Sequence, residues 1–203
     1  MADDTPTIYT IGHSTHSMEE FLALLNCHGV AAIADVRSQP YGRLEHFHRE
    51  NLAAELKAAG IAYVFLGQQL GARRDEPECY ENGIARYERI VRLPAFQEGL
   101  LRLCRGAEKC RLAMLCAEKE PLACHRAILI ARCLKDSGIR VMHILGDGTL
   151  EDHALAEKRL VRELGLGRTL FEPDLTERDL IDRAYDRRGG QIAYHEEAGG
   201  LPP

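Results

Sequence analysis

The sequence predicts an α/β fold: a three-layer sandwich with a mainly parallel sheet of about five strands and helices on both faces. Five short apolar runs alternate along the chain with segments in which apolar residues recur at helical spacing. Glycines and capping residues separate these segments. Because short strands that alternate with helices pair in parallel through right-handed crossovers, the sheet is expected to be covered on both faces.

The first half of the chain contains three predicted strands and the helices that follow them. Ser17 and Glu20 have the spacing of a capping box, which opens a helix through His28. Gly29 is placed to end that helix. A second helix is predicted at 51–59. The three strands are predicted at 7–11, 31–36 and 61–66.

The second half continues the same alternation. Pro94 separates two predicted helices, because proline fits the start of a helix and interrupts its interior. Gly146, Asp147 and Gly148 are typical of a turn, here between a strand and a long helix. The elements predicted on either side of these breaks are helices at 80–92 and 95–104, a strand at 140–145 and a helix at 149–164.

The chain divides into one α/β domain, residues 1–171, and a charged C-terminal extension, residues 172–203. From Glu172 onward there are eight acidic residues and four arginines. A short helix is predicted at 175–185. The glycine-rich end beyond Arg188 is expected to be disordered, because it has too few apolar residues to bury.

The most informative stretch runs from Arg111 to Leu134. It begins with a strand at 112–115 that is apolar on both faces and is closed by Cys116. From Ala123 the spacing of apolar residues is helical, so Cys124, His125 and Arg126 are predicted in the first turn of a helix. The free N–H groups of a first turn favour negative charge, and together with neighbouring cationic side chains they stabilise a thiolate.

Composition limits the classes of protein and their location. The 203 residues carry 26 basic and 31 acidic side chains, a formal net charge of −5, which is unlike a basic nucleic-acid-binding module. Seven cysteines without a C-x-x-C pair are expected to be free thiols. The sequence shows no leader and no apolar run of membrane-spanning length, so a cytoplasmic location and no membrane partner are expected.

Chemically capable side chains follow nearly every predicted strand. In parallel α/β sheets, ligands bind at the carboxyl ends of the strands. These side chains therefore predict a single cleft at one edge of the sheet. The residues concerned are His13 and Ser14 after the first strand, Asp35 and Arg37 after the second, Arg73 after the third, and Cys116, Cys124 and Arg126 around the fourth.

Four motifs resemble a bacterial family known as domain of unknown function 488. They are G-H-S-T at 12–15, A-D-V-R-S-Q-P-Y at 34–41, L-G-A-R-R at 70–74 and C-A-E-K-E-P-L-A-C-H-R at 116–126. The resemblance covers about residues 8–153 and implies an α/β sandwich without implying a reaction. A weaker likeness to rhodanese and cysteine-phosphatase domains is architectural, and there a cysteine at a strand end is the nucleophile.

Four residues are the candidates for catalysis. Cys124 is the expected nucleophile, and Cys116 is a second nucleophile, a resolving thiol or a core residue of its strand. His125 and Glu118 are expected to transfer protons. The alternative for each is structural: the cysteines pack in the core, His125 hydrogen-bonds a loop, and Glu118 lies on the surface.

The candidates for ligand binding are mainly groups that recognise anions. Arg126, Arg37 and Arg73 are planar donors suited to phosphate or carboxylate. Arg37 has a structural alternative, an ion pair with Asp35 or Glu118. Tyr41 could stack on a ring. The residues predicted to bind the ligand are Arg126, Arg37, Asp35, His13, Ser14, Tyr41 and Arg73.

No cofactor is predicted, although zinc is conceivable at Cys116, Cys124 and His125 with His13 or His143. The leading hypothesis is a cytosolic enzyme that acts on a small phosphate-bearing or otherwise anionic ligand, a nucleotide or a nucleic-acid component. Cysteine-dependent hydrolysis, group transfer and thiol redox chemistry stay open, as does the oligomeric state. The alternatives are a binding module without turnover and a nucleic-acid processing protein. The latter would use a basic patch formed by Arg43, Arg49, Arg73 and Arg74.

Overall fold

A computed structural model describes residues 5–167 and 174–196 of the chain. Its strands are β1 (Thr7–Gly12), β2 (Ala32–Asp35), β3 (Ala62–Phe65), β4 (Tyr80–Glu81), β5 (Ile84–Ala85), β6 (Leu112–Cys116), β7 (Arg140–Ile144) and β8 (Leu150–Asp152). Six of them form one sheet in the order β3-β2-β6-β1-β7-β8. The first five are parallel, and β8 pairs antiparallel with β7.

The α-helices cover both faces of this sheet, which confirms the predicted α/β fold. They are α1 (Met18–Cys27), α2 (Arg49–Ala58), α3 (Gly67–Leu70), α4 (Tyr87–Ile90), α5 (Pro94–Ala107), α6 (Arg132–Leu134), α7 (His153–Glu163) and α8 (Glu177–Ile192). A π-helical stretch, Arg126–Ala131, precedes α6 directly. The capping box of Ser17 and Glu20 is present, and Gly29 has the left-handed backbone of a helix end.

The sheet separates two apolar layers, and successive side chains of its central strands point alternately into one layer and the other. In β6, Leu112 and Met114 join one layer together with the buried faces of α5 and the π-helical stretch, whereas Ala113 and Leu115 join the layer beneath α1 and α2. All five residues of β6 are buried. Its central position therefore places the carboxyl end of β6, and with it Cys116, in the middle of one sheet edge.

Two of the predicted helices are partly strand. The region 80–92 contains the hairpin β4–β5 before α4, because Asn82 and Gly83 both have positive φ, as a tight hairpin turn requires. The predicted helix at 149–164 begins only at His153. A turn with positive φ at Gly148 reverses the chain first, and Leu150–Asp152 pairs with β7 as an antiparallel edge strand.

The C-terminal helix is longer than predicted and packs on the body. It runs to Ile192, so the expected disorder beyond Arg188 is wrong for residues 189–196, and residues 197–203 lie outside the described part. A buried chain of polar groups fixes this helix. His143 Nε2 lies 3.0 Å from His153 Nδ1, and the Tyr185 hydroxyl lies 2.8 Å from both His153 Nε2 and Glu157 Oε1.

Candidate functional site

The cleft lies where β6 ends and has a volume of about 460 Å³. Side chains from four other parts of the chain complete it: the loop after β2, the loop after α3, the start of α4, and the end of α8 with the segment that follows it. Seven of the predicted site residues line it, namely Arg37, Tyr41, Arg73, Cys116, Glu118, Cys124 and His125. The carboxyl-end rule thus located the cleft from the sequence.

The floor of the cleft is a cluster of two thiols, an imidazole and a carboxylate. Cys116 Sγ lies 2.8 Å and Cys124 Sγ 3.0 Å from Glu118 Oε2. His125 Nδ1 lies 3.6 Å from Cys116 Sγ and 3.9 Å from Cys124 Sγ. We call these four residues the thiol cluster. Both cysteines are buried, while Glu118 is exposed to the cleft.

Local backbone structure gives each member its place. Pro121–Ala123 forms a single 3-10 turn capped by the Glu120 side chain. This turn includes Ala123, where the helix was predicted to begin. Cys124 is therefore extended and lies before the helix, which corrects its predicted place in the first turn. Its carbonyl oxygen accepts from Ala127 and Ile128, and its Sγ lies 3.5 Å from the Arg126 backbone nitrogen.

The orientation of His125 is fixed by one backbone contact. Its Nε2 lies 3.1 Å from the carbonyl oxygen of Val36, which can only accept a hydrogen bond. Nε2 therefore carries the proton in the neutral ring, and the lone pair of Nδ1 faces the two sulfur atoms. Hydrogen bonding and attraction to Cys124 outweigh the effect of burial and raise the pKa of His125.

The two thiols have opposite tendencies to ionise. Burial raises the pKa of Cys116 far above its usual range, and the neighbouring Cys124 adds to this effect. Burial alone would raise the pKa of Cys124 too. The hydrogen bond from Cys116 and the positive charge of Arg126 reverse that effect and hold the pKa of Cys124 well below its usual range. Of the two sulfur atoms, that of Cys124 is therefore the one whose surroundings favour the thiolate.

The Asp35–Arg37 pair supports the wall of the cleft. Asp35 is fully buried and accepts from Arg37 Nε at 2.9 Å and from the Tyr63 hydroxyl at 2.8 Å. Arg37 Nη1 donates to the carbonyl oxygen of Phe47 at 3.0 Å. Asp35 does not line the cleft. The structural alternative for Arg37, an ion pair with Asp35, is present, so its donors are largely used within the protein.

Arg126 is also an internal support and not a ligand contact. It is fully buried and donates from Nη1 to the carbonyl oxygen of Glu118 at 2.6 Å and from Nη2 to that of Lys119 at 3.0 Å. Both bonds hold the loop that joins Cys116 to Cys124. Arg126 was predicted to bind an anion in the cleft, but its side chain does not line the cleft.

His13 and Ser14 follow β1 on the far side of this loop and do not line the cleft. The His13 ring stacks on Phe47, with 4.3 Å between ring centroids, and burial together with Arg37 lowers its pKa to about 4. Ser14 has a φ of 50° and occupies a turn. Their predicted contact with a ligand is not supported by these positions.

The outer wall contains the accessible cation of the cleft and residues that the sequence did not indicate. Arg73 is exposed, donates to Gln39 Oε1 at 2.8 Å, and places its guanidinium 4.5 Å from the ring centre of Tyr194. Tyr194 is held by its carbonyl oxygen, which accepts from the Ala85 N–H at 2.9 Å. Tyr41 is 56% exposed at the rim. The lining residues that we did not predict are Ser38, Gln39, Ala72, Tyr87, Ala117, Ala123, Ile192, Ala193, Tyr194 and His195.

The basic patch proposed for nucleic acid is not formed as expected. Arg74 is buried and pairs with Glu76, and its Nη1 donates to the carbonyl oxygen of Gln68 at 2.6 Å. Arg49 lies over the ring of Phe65. The Arg74 guanidinium is therefore used within the protein, whereas Arg49 is exposed beside this ring.

The sulfur atoms of Cys116 and Cys124 and a ring nitrogen of His125 all lie within 4.8 Å of one another, and this group could hold a metal ion. The additional ligands considered from the sequence do not join it. His143 binds Thr10 and His153, and His13 lies against Phe47. Within residues 5–167 and 174–196, no helix combines the length and apolar character needed to cross a membrane.

Comparison with known proteins identifies one family. The model described as "Domain of unknown function DUF488" matches residues 17–133, more than half of the chain. This segment contains the whole thiol cluster and Arg73, but not the segment after α8 that contributes Tyr194. No curated protein and no solved structure matches the chain significantly.

Proposed function

We propose a function from the cleft itself, because the chain belongs to a family, DUF488, whose description names no activity. The protein is proposed to be an enzyme that binds a phosphate-bearing or otherwise anionic ligand of nucleotide size. The ligand would be transformed at the thiol cluster. The proposal places the enzyme in the cytoplasm and gives it no membrane partner.

One observation carries this proposal: an accessible guanidinium and the thiol cluster face the same cleft. Arg73 lies on the outer wall with a donor available to solvent, and Cys124 lies on the floor. Guanidinium groups bind phosphate and carboxylate with two parallel hydrogen bonds. The cleft volume of about 460 Å³ falls in the range of small-molecule sites, which is about 300–1,000 Å³.

The members of the thiol cluster supply the groups that such an enzyme needs. Cys124 has a lowered pKa and is the candidate nucleophile. His125 and Glu118 lie next to it and are suited to proton transfer. Tyr41 and Tyr194 offer aromatic faces at the rim, where a base or sugar ring could lie. A zinc ion bound by Cys116, Cys124 and His125 would replace these roles of Cys124 and His125, because a zinc-bound thiolate and imidazole are not free for attack or proton transfer.

Binding can be tested with ADP and inorganic phosphate as probes, by isothermal titration calorimetry on the full chain. We expect the Arg73→Met variant to bind ADP at least about tenfold more weakly, as the loss of a charged hydrogen-bond donor implies. Arg102→Met is the matched control, because Arg102 is exposed on α5, away from the cleft, and should leave affinity unchanged. Equal effects of the two substitutions would reject the cleft as the binding site.

Catalysis is tested separately by incubating the protein with a mixture of nucleotides and following their conversion by mass spectrometry. Wild-type protein should convert at least one compound, and Cys124→Ser should bind it with nearly unchanged affinity but convert it at least about 100-fold more slowly. Binding without conversion by the wild type would favour the alternative of a non-catalytic binding module.

A further inference from the structure

We propose that Cys116, Cys124 and His125 bind one zinc ion at the floor of the cleft. The inference concerns the same residues as the proposed function. Only the claim that the ion takes part in a reaction rests on that function. Metal binding itself is measured without a substrate. Thiolate and imidazole are the ligand types that select zinc among the common divalent ions.

The distances within the group fit a tetrahedral ion. Bonds of about 2.3 Å to sulfur and about 2.0 Å to nitrogen place two such ligands about 3.6 Å apart around a tetrahedral zinc. His125 Nδ1 lies 3.6 Å from Cys116 Sγ and 3.9 Å from Cys124 Sγ. All three ligand atoms lie within 4.8 Å of one another. An ion therefore needs only small side-chain movements to bind all three.

The imidazole is already oriented as a metal ligand. Metal-binding histidines usually donate their second ring N–H to a carboxylate or a backbone carbonyl, which fixes the tautomer. His125 Nε2 makes this contact with the carbonyl oxygen of Val36 at 3.1 Å, and its Nδ1 lone pair faces the sulfur atoms. A histidine that served only to tie two loops together would not need its other nitrogen to face two thiols.

Three groups that can carry negative charge lie close together at the ligand atoms. Glu118 Oε2 lies 2.8 Å and 3.0 Å from the two sulfur atoms, so three groups that can each carry negative charge converge on one point. Among the described residues, no lysine or arginine forms an ion pair with Glu118. Arg126 donates from Nη1 and Nη2 to two backbone carbonyl oxygens, and its buried Nε has no hydrogen-bond partner. A divalent cation would neutralise this convergence.

Three protein ligands leave a fourth position, as in catalytic zinc sites, where water or substrate completes the coordination. The cleft lies over the group, and Glu118 is exposed beside it. A zinc ion there would polarise a bound ligand oxygen or lower the pKa of a bound water, and Glu118 would be placed to accept its proton.

The test is a cobalt titration of the reduced, metal-free full chain, followed by its thiolate-to-cobalt absorption, together with zinc analysis of the protein as purified. We expect one equivalent of Co²⁺ to bind and one equivalent of Zn²⁺ to displace it. Cys116→Ser and His125→Ala should each weaken Co²⁺ binding at least about 100-fold. Cys104→Ser is the matched control, since this partly buried thiol lies outside the group, and should bind as the wild type does.

The wild-type titration decides the proposal even if a variant fails to fold. Reduced wild-type protein that gives no thiolate-to-cobalt absorption would overturn it, as would a band that Cys116→Ser and His125→Ala leave unchanged. The purified protein could contain a disulfide between Cys116 and Cys124. If it binds no Co²⁺ after this disulfide is reduced, the proposal is overturned. Metal binding without affinity for ADP or phosphate would keep the site and reject the proposed function. Nucleotide conversion at an undiminished rate by metal-free protein would keep the proposed function and reject only the part of the ion in the reaction.

Discussion

Arg126 donates to the carbonyl oxygen of Glu118 at 2.6 Å from inside the core, while the Glu118 side chain faces the cleft on the opposite side of the loop. A buried guanidinium thus holds an exposed carboxylate in position through the backbone. A second bond, to the carbonyl oxygen of Lys119, fixes the next residue. The thiol cluster depends on this support, because the same loop joins its two cysteines.

Replacing Arg126 should therefore destabilise the protein without removing any contact to a ligand. We expect Arg126→Met to lower the free energy of unfolding by about 3 kcal/mol or more, because two charged hydrogen bonds are lost and the carbonyl groups stay buried. Urea unfolding followed by circular dichroism measures this change. Arg102→Met, on the surface of α5, should cost less than about 0.5 kcal/mol. A loss below about 1 kcal/mol for Arg126→Met would contradict the supporting role.

Gly12 should tolerate no side chain, although its backbone is not left-handed. A Cβ at this position would overlap the carbonyl oxygen of Glu118 and come within 3.0 Å of Arg126 Nη1. We expect Gly12→Ala to cost about 1–3 kcal/mol of stability by forcing the loop away from β1. Gly42→Ala is the matched control, since nothing lies within 4 Å of a Cβ there. Similar unfolding midpoints for the two variants would show that the loop can move freely.

Acid should loosen the C-terminal helix through His153. Burial, aided by Lys135, lowers the pKa of His153 to about 4. Between pH 6.5 and 4 the unfolded chain therefore binds a proton that the folded chain does not, and stability falls as the pH is lowered. The contribution of His153 is about 2 kcal/mol between pH 7 and pH 5, and urea unfolding at both values measures it. His153→Gln should show a smaller pH dependence, and an unchanged one would refute the assignment.

Tyr194 should strengthen anion binding through Arg73. The guanidinium lies over the ring of Tyr194, 4.5 Å from its centre, and so stays directed along the wall of the cleft. Loss of such a contact at an exposed site corresponds to about 0.5–1 kcal/mol, or a twofold to fivefold weaker affinity. We expect this loss for ADP with Tyr194→Leu but not with Tyr194→Phe, measured by calorimetry. Identical affinities for both variants would show that Arg73 needs no orientation by the ring.

The sequence predicted the sheet and the location of the cleft because these depend on local patterns. The apolar run of β6 and the capping box at Ser17 are determined by neighbouring residues, and the rule for parallel sheets then places Cys116 and Cys124 at the carboxyl edge. The hairpin β4–β5 was also visible in principle. The Asn82–Gly83 pair is a strong hairpin signal, but the apolar residues around it recur at helical spacing and predict a helix instead.

The distinction between supporting and ligand-facing arginines could not be predicted. Arg37, Arg73 and Arg126 all follow strands or begin helices, yet only Arg73 is exposed. Whether a guanidinium donates to a carboxylate, to carbonyl oxygens or to a ligand depends on atoms far away in the sequence, such as the carbonyl oxygen of Phe47. The packing of the last helix depends in the same way on Tyr185 meeting His153 across the fold.

The backbone hydrogen bond between Ala85 and Tyr194 joins two stretches of the chain. Ala85 lies within the segment that matches the family model, residues 17–133, and Tyr194 lies beyond it. The sulfur atoms of the thiol cluster come from one stretch, and part of the cleft wall comes from the other. Exchanging the terminal helix and the few residues after it would therefore change part of the cleft wall and leave the residues of the thiol cluster unchanged. Part of the wall of this cleft can thus vary in sequence without any change in the residues of its floor.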